Sequence, residues 1–289
     1  MIDLRTHLIS LIAVFIALGL GMVIGVDLIG GKGIVTQERA LVQRLEADFS
    51  QLRSQNTSLS ETVKAKDALL SIEETYGAQT LPVIVTNRLA GMNVAIVTTD
   101  DTLDLSPYLT IIKDAGASVG PVITLVAPEK NLTASAAQAL GVADSTSAVY
   151  TKVAATLDAA LKTGNASSVT ALEDLGLLHV TGSFAATGPA VLLIAGATSA
   201  PDPLVQTFGV PFVQGLLADH MGVTEGELSS VPPADSTIPA FDKLGIATVD
   251  DLDLAPGEVA MVWGLSGVTG TFGEKPTAQS LMPPLTTAP

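Results

Sequence analysis

The chain has 289 residues, of which 29 are acidic and 14 basic, so its formal net charge is −15. It contains no cysteine, which excludes disulfides, thiolate metal sites and cysteine nucleophiles. Residues 77–289 hold 20 of the acids and seven of the bases. Because so acidic a body repels nucleic acid and anionic lipid headgroups, we expect no nucleic-acid partner.

The first predicted element is a membrane-spanning helix. Leu8–Val26 carries no charge, and nineteen helical residues measure about 28 Å, close to the thickness of a bilayer core. We therefore predict a single-pass anchor within residues 1–33. A cleaved signal peptide stays open as an alternative, although residues 27–33 offer no Ala-x-Ala site, and so does a buried core helix. The short N-terminal flank favours a cytoplasmic N-terminus and an extracytoplasmic body.

Small residues recur every fourth position along this helix, at Ala13, Ala17, Gly21 and Gly25. Such a stripe, which includes a GxxxG pair, lets two membrane helices approach closely. We expect it to pack against a second copy within the lipid. The alternative is that glycine and alanine are simply common in membrane helices.

Residues 34–76 read as a coiled-coil stalk. Heptads place apolar residues at positions a and d, and Asn56 at a central a position favours a parallel homodimer in a single register. The alternative is one amphipathic helix that folds back on its own domain. The predicted core of the stalk comprises Val42, Leu45, Phe49, Leu52, Asn56, Leu59 and Val63.

Residues 78–275 are predicted to form one α/β domain, with a doubly wound (Rossmann-like), mostly parallel sheet, and residues 276–289 a flexible tail. The basis is a series of short apolar runs, typical of strands buried on both faces, that alternate with helical stretches. Pro121 indicates an edge strand or a bulge, and Ser229–Pro239 reads as a loop. The predicted strands are Val94–Val97, Val122–Val126, Leu177–Val180, Val191–Ala195 and Val259–Trp263.

The sequence contains no catalytic constellation, so we expect no enzyme activity and no cofactor. His179 reads as a core histidine, and His220 with Met221 is at best a weak metal pair. Turns after two strands, Thr98–Asp101 and Gly196–Ser199, lie where doubly wound sheets bind ligands, but Asp as a cap or turn residue is the favoured interpretation. Val249–Asp253 reads as a solvated loop leading into the last strand.

Three segments carry a resemblance to a known family. One runs from Asp3-Leu-Arg-Thr-His through Ser10 to Gly25; a second is Gly245–Asp251, followed by Pro256-Gly257 and the run to Trp263; the third is Phe272-Gly-x-Lys-Pro-Thr-Ala278. Together they resemble the mycobacterial copper transport protein B family, and the third resembles a closing segment of its Gram-positive, non-mycobacterial members.

The resemblance implies a membrane protein of the cell envelope with a role in copper transport or homeostasis. No metal ligands come with it, because the matching residues are packing and turn residues. Two other functions stay open. One is a dimeric stalked scaffold that binds another envelope protein or a wall component, and the other is a small-ligand sensor or an enzyme at the switch point of the sheet.

Overall fold

The computed structural model of the chain divides into two compact units, Met1–Leu70 and Ser71–Pro289. It describes residues 4–29, 32–184, 189–196 and 202–285, with side chains from residue 5 onward except those of residues 27–39. The predicted turn at 197–199 and the end of the predicted tail at 286–289 therefore lie outside the described residues.

The first unit contains the predicted anchor. Helix α1 spans Leu4–Ile29, and its segment Arg5–Val26 is long and apolar enough to cross a membrane. None of its described side chains is buried. A core helix would hide these apolar groups, so the core-helix alternative is wrong, whereas a membrane anchor and a signal sequence both have these properties.

Helix α2, Lys32–Val85, follows and contains the predicted stalk. Its helical conformation agrees with the stalk prediction, and pairing into a coiled coil stays a prediction. In the single chain the apolar residues at the predicted core positions are all exposed to solvent: Val42, Leu45, Phe49, Leu52, Leu59 and Val63.

The second unit is built on a seven-stranded sheet of order β3-β2-β1-β4-β5-β6-β7. Every neighbouring pair is parallel except β2–β3. The chain adds β2 and then β3 on one side of β1, and β4 to β7 on the other side, so the strand order reverses between the neighbouring strands β1 and β4. The strands are β1 (Asn93–Thr98), β2 (Ser118–Leu125), β3 (Leu178–Thr181), β4 (Ala190–Ile194), β5 (Val223–Gly226), β6 (Ala247–Val249) and β7 (Gly270–Phe272).

Helices cover both faces of this sheet. Successive residues of β4 enter two different cores, because side chains alternate along a strand: Val191 and Leu193 face one core, Leu192 and Ile194 the other. This explains why the central strands read as unbroken apolar runs. The first core is closed by α4 (Lys130–Leu140), α5 (Thr146–Thr163), α6 (Ser167–Asp174) and α7 (Val210–Ala218), and the second by α3 (Ser106–Asp114) and α9 (Ala255–Leu265).

Four predicted strands are confirmed as β1 to β4, but the fifth is wrong. Val259–Trp263 lies inside α9, and nearly every residue of that helix is buried. A helix buried on all sides loses the 3.6-residue alternation of polar and apolar residues that distinguishes it from a strand. Pro256, in the first turn of α9, was the available signal for a helix start.

Two smaller expectations are also settled. Pro121 does not lie in an edge strand, but the register of β1 against β2 shifts by one residue between Val119 and Val122, so its bulge is confirmed. The predicted loop Ser229–Pro239 holds as far as Thr237, after which α8 (Ile238–Phe241) begins. In the predicted tail, the Gln279 N–H donates to the Thr271 carbonyl, which ties residues 279–280 to β7.

Close packing of α9 on the sheet predicts the effect of one substitution. A Cβ added at Gly264 would lie 2.5 Å from Thr224 Oγ1 and 2.6 Å from Ala247 Cβ. We expect Gly264→Ala to lower the free energy of unfolding of the detergent-solubilised chain by about 1–3 kcal/mol, measured by denaturant titration. Gly222→Ala is the matched control, since its nearest atoms lie 3.9 Å away. Equal stability of the two variants would contradict the packing.

Candidate functional site

Charged side chains are buried together at the carboxyl ends of β5, β6 and β7, where parallel α/β sheets usually place their functional groups. Glu225 is the third residue of β5 and Glu227 directly follows this strand, Asp250 and Asp251 follow β6, and Lys275 lies three residues after β7. All four acids are fully buried and Lys275 is 9% exposed. We call these five residues with Thr237 the carboxylate–lysine network. Buried charges must be paired or neutralised, so each of the four acids requires either a partner or a raised pKa.

Glu227 is the fully paired member. Its Oε1 accepts hydrogen bonds from Lys275 Nζ at 2.6 Å and Ser236 Oγ at 2.7 Å. Its Oε2 accepts from the Thr237 backbone N–H at 2.7 Å and from Thr237 Oγ1 at 3.0 Å. Lys275 also donates to the Leu228 carbonyl at 3.0 Å. One carboxylate thereby joins the loop before α8 to the segment after β7.

Glu225 lies beside this pair and is incompletely bonded. Its Oε1 lies 2.7 Å from Thr237 Oγ1, whose single hydroxyl proton is shared with Glu227 Oε2, while Glu225 Oε2 has no hydrogen-bond partner. Burial raises the pKa of the Glu225 carboxyl well above its usual range; the Thr237 hydrogen bond opposes this rise and neighbouring Glu227 adds to it. The neutral, protonated acid is therefore the favoured form, which leaves Lys275 to balance Glu227 alone.

Asp250 holds the chain that leaves β7. Its Oδ1 accepts from the backbone N–H of Glu274 at 2.8 Å, and both of its oxygens lie 3.2 Å from the N–H of Lys275. Gly273 makes this approach possible, because a Cβ there would lie 2.1 Å from Asp250 Oδ1. Its φ of 133° is also one that glycine alone adopts easily.

Asp251 packs against the first turn of α9. A Cβ on Gly257 would lie 2.1 Å from the Asp251 carbonyl oxygen and 2.4 Å from its Oδ1. Neither carboxylate oxygen has a hydrogen-bond partner. Burial, reinforced by the charges of Asp250, Glu274 and Asp253, raises the pKa of Asp251 to about 7. The predicted solvated loop Val249–Asp253 is thus wrong, since Val249 through Leu252 are fully buried and only Asp253 is exposed.

A shallow depression of about 400 Å³ adjoins the network, between residues 202–206 and the segment 234–243 that contains α8. Its wall includes Thr237, which hydrogen-bonds the carboxyl groups of the network, together with Asp202, Asp235 and Lys243. Asp202 connects the segments that follow β1 and β4, the two strands between which the strand order reverses. It accepts hydrogen bonds from the Thr99 hydroxyl after β1 and, at 3.4 Å, from the Gly196 N–H after β4.

The residues singled out from the sequence lie elsewhere. Asp100 accepts from the N–H and hydroxyl of Thr102, so its interpretation as a turn residue is confirmed. His179 is exposed on the edge strand β3, which makes the core interpretation wrong. His220 is exposed while Met221 is buried, so the two do not face one site.

Within the described part of the chain, no three His, Asp or Glu side chains are grouped as metal ligands. In α1, the glycines of the predicted packing stripe, Gly21 and Gly25, have no atom within 4 Å of an added Cβ. The stripe formed by these residues with Ala13 and Ala17 is therefore open, and its packing stays a prediction.

Sequence reasoning missed Glu225, Glu227 and Thr237 because β5 is short and polar. It placed Asp250 and Asp251 in a predicted solvated loop and in a matching segment, and Lys275 only in a matching segment. The signal was present: Gly257 and Gly273, which occur in those segments, are the glycines against which Asp251 and Asp250 pack. The sequence does not show that these two segments are in contact; the pairing of β6 with β7 in the sheet does.

The raised pKa of Asp251 predicts a pH dependence of stability. The unfolded chain loses this proton near pH 4, whereas the folded chain keeps it to about pH 7. The stabilisation is therefore complete below pH 4 and is lost as the pH rises through 7. Asp251→Asn mimics the neutral acid, so between pH 5 and 7 we expect the fall in unfolding free energy to become shallower by up to about 1.4 kcal/mol per pH unit.

The measurement is a series of urea titrations of the solubilised full chain from pH 5 to 8. Burial also raises the pKa of Glu258 to about 7, and this group contributes to the slope in every variant. Asp144→Asn, at an exposed position, is the control and should keep the slope of the original chain. Identical slopes for the original chain and Asp251→Asn would refute the assignment.

Comparison with known families gives one match, and it covers residues 1–283. The matching family is described as "Copper transport outer membrane protein, MctB". A search of curated proteins finds no match. The match includes α1, α2, all seven strands and every member of the carboxylate–lysine network. Since almost the whole length of the chain is covered, this protein belongs to the MctB family of copper transport outer membrane proteins.

Proposed function

We propose that the protein is a membrane-anchored component of the cell envelope that supports copper transport or homeostasis, with α1 retained as the anchor. The observation that carries this proposal is the family match across residues 1–283, which includes an N-terminal helix able to span a bilayer. In this arrangement the N-terminus is cytoplasmic and the acidic α/β unit extracytoplasmic. The charge of that unit suits a solvated position away from anionic headgroups.

The proposed role is a supporting one rather than that of a pore. A helix that lines a water-filled path carries polar side chains along one side. Between Leu8 and Val26 the only side chain with a polar group is Ser10. One such helix offers a hydrated ion no continuous polar surface along which to cross, so a copper path would require further membrane segments.

We further propose that two copies associate in parallel through α2. The exposed apolar positions from Val42 to Val63 follow a heptad pattern, and a shared membrane anchor would keep two copies pointing the same way. Asn56 on one helix would bond Asn56 on the other, and any shift in register would leave both amides unpaired. Asp48 and Arg53 of opposite helices would add a weak ion pair.

Loss of the protein should disturb copper specifically. We expect deletion of the gene to lower copper tolerance and raise cell-associated copper, measured by growth in graded copper and by elemental analysis. The complete gene should restore both, and a version lacking residues 4–29 should not, because the body would no longer be held at the membrane. Zinc tolerance and zinc content serve as the matched control.

Unchanged copper content and tolerance after deletion would reject the copper role. If cell shape or the position of another envelope protein changed instead, the stalked-scaffold function would take its place. A change in both copper and zinc would indicate general leakage of the envelope and would also count against a copper-specific role.

Topology is tested separately by single-cysteine labelling, which the cysteine-free chain permits without background. We expect exposed Ser280, changed to Cys, to react with a membrane-impermeant maleimide in wall-stripped cells. Thr6→Cys, before the uncharged stretch Leu8–Val26, should react only after permeabilisation. The opposite pattern would reverse the topology, and a mature chain without residue 6 would show that α1 is removed as a signal peptide.

A further inference from the structure

The short helix α8 is attached to the sheet by polar side chains before and after it. On one side, the backbone N–H and the hydroxyl of Thr237 lie within hydrogen-bond distance of Glu227 Oε2. On the other, Asp242 Oδ1 accepts a hydrogen bond from Thr271 Oγ1 at 2.7 Å. We call residues 236–242, which include α8 and these two attachments, the α8 segment.

The attachment at Thr237 has one hydroxyl proton for two carboxyl groups. Thr237 Oγ1 lies 2.7 Å from Glu225 Oε1 and 3.0 Å from Glu227 Oε2. Because an ionised carboxylate only accepts hydrogen bonds, the hydroxyl would serve only one of two ionised acids, and its lone pairs would face the other. A proton on Glu225 Oε1 removes this conflict. Glu225 then donates to Thr237, and Thr237 donates to Glu227.

Glu225, rather than Glu227, is the acid that carries this proton. Glu227 lies 2.6 Å from Lys275 Nζ and also accepts from Ser236 Oγ and the Thr237 backbone N–H. These donors stabilise its ionised form. Glu225 has only the shared hydroxyl, since its Oε2 has no hydrogen-bond partner.

The charges that act on Glu225 also favour its neutral form. Asp202 and Glu227 oppose its ionisation, and Lys275, which favours it, is already bonded to Glu227. The residues beside Glu225 on the neighbouring strands are uncharged, and the charged residues that follow α8 are exposed to solvent. These four residues are Leu193 in β4, Thr248 in β6, Asp242 and Lys243.

We propose that the α8 segment is a pH-dependent latch, closed on the sheet while Glu225 is protonated and opened more often as that proton is lost to water. Without the proton, Glu225 and Glu227 compete for the single hydroxyl of Thr237 and repel each other across it. Residues 234–243 form one wall of the depression beside the network, so opening of the latch changes the shape of this depression.

Apolar burial keeps the open form a minor state. Ile238 and Phe241 in α8 are fully buried, and opening exposes them to water. The closed form binds one proton more than the open form from the ordinary pKa of a glutamate, near 4.5, up to the raised pKa of Glu225. The open population therefore rises by up to about tenfold per pH unit across this range, and the extra stability of the closed form is lost at its upper end.

The proton on Glu225 is tested by infrared spectroscopy of the solubilised full chain at pH 7. We expect a carbonyl band of a protonated carboxylic acid in the original chain that is missing from Glu225→Gln. Asp251 and Glu258, whose pKa values are raised to about 7, contribute equally to both spectra and cancel in the difference. A difference spectrum without a carboxylic-acid band would overturn the proposal.

The opening is tested by the rate at which a maleimide labels Ile238→Cys in the full chain, with and without Glu225→Gln. Between pH 6 and 8 we expect the rate without Glu225→Gln, divided by the rate with it, to rise at least about tenfold. The division cancels the pH dependence of the thiol, which both chains share. Glu225→Met, a second neutral variant, repeats the comparison if Glu225→Gln does not fold.

Val153→Cys is the matched control, because Val153 in α5 is equally buried and lies outside the latch. At pH 8 we expect Ile238→Cys to react at least about tenfold faster than Val153→Cys, since the latch opens without unfolding of the whole unit. Equal rates at the two cysteines would show that only the whole unit opens and would reject the latch. A rate ratio at Ile238→Cys that stays constant with pH would reject the role of Glu225.

Discussion

The α/β unit depends on the pairing of Lys275 with Glu227 in its interior. Burying either charge alone would cost several kcal/mol of folding free energy, so the folded state must bury the lysine and the glutamate in contact with each other. They lie 48 residues apart in the chain, and only the parallel alignment of β5, β6 and β7 joins them. The segment after β7 is thereby fixed to the end of β5, although β6 and β7 have only three residues each.

The acids around this pair are accommodated in three different ways. Glu227 is balanced by a positive charge and three further hydrogen bonds. Asp250 accepts hydrogen bonds from the backbone N–H groups of Glu274 and Lys275. For Asp251 and Glu225 a raised pKa favours the neutral form instead. A single lysine suffices for four buried acids because only Glu227 is paired with it.

The parts of this fold that depend on the burial of apolar side chains could be predicted from the sequence. The parts that depend on contacts between buried polar and charged side chains could not. β1 and β4 are recognisable because both of their faces enter a core. In α9 burial is so complete that a helix resembles a strand, and β5 is invisible because its Thr224 and Glu225 look like loop residues. The charged network could not be predicted, since Asp250 reads as solvated until Glu274 and Lys275 are placed beside it. Sequence periodicity contains no information about contacts between distant segments.

The segments that match the family solve two separate physical problems. At the N-terminal end they supply an uncharged span with small residues, which suits a helix in lipid. At the C-terminal end Gly257 and Gly273 give Asp251 and Asp250 room to be buried, and Lys275 closes the network. These residues hold the architecture together, and none of them is grouped with other metal ligands in the described chain. The segments that carry the family relation thus account for the fold of the α/β unit and for an apolar N-terminal helix, and the copper role is tested separately through the anchor and the whole gene.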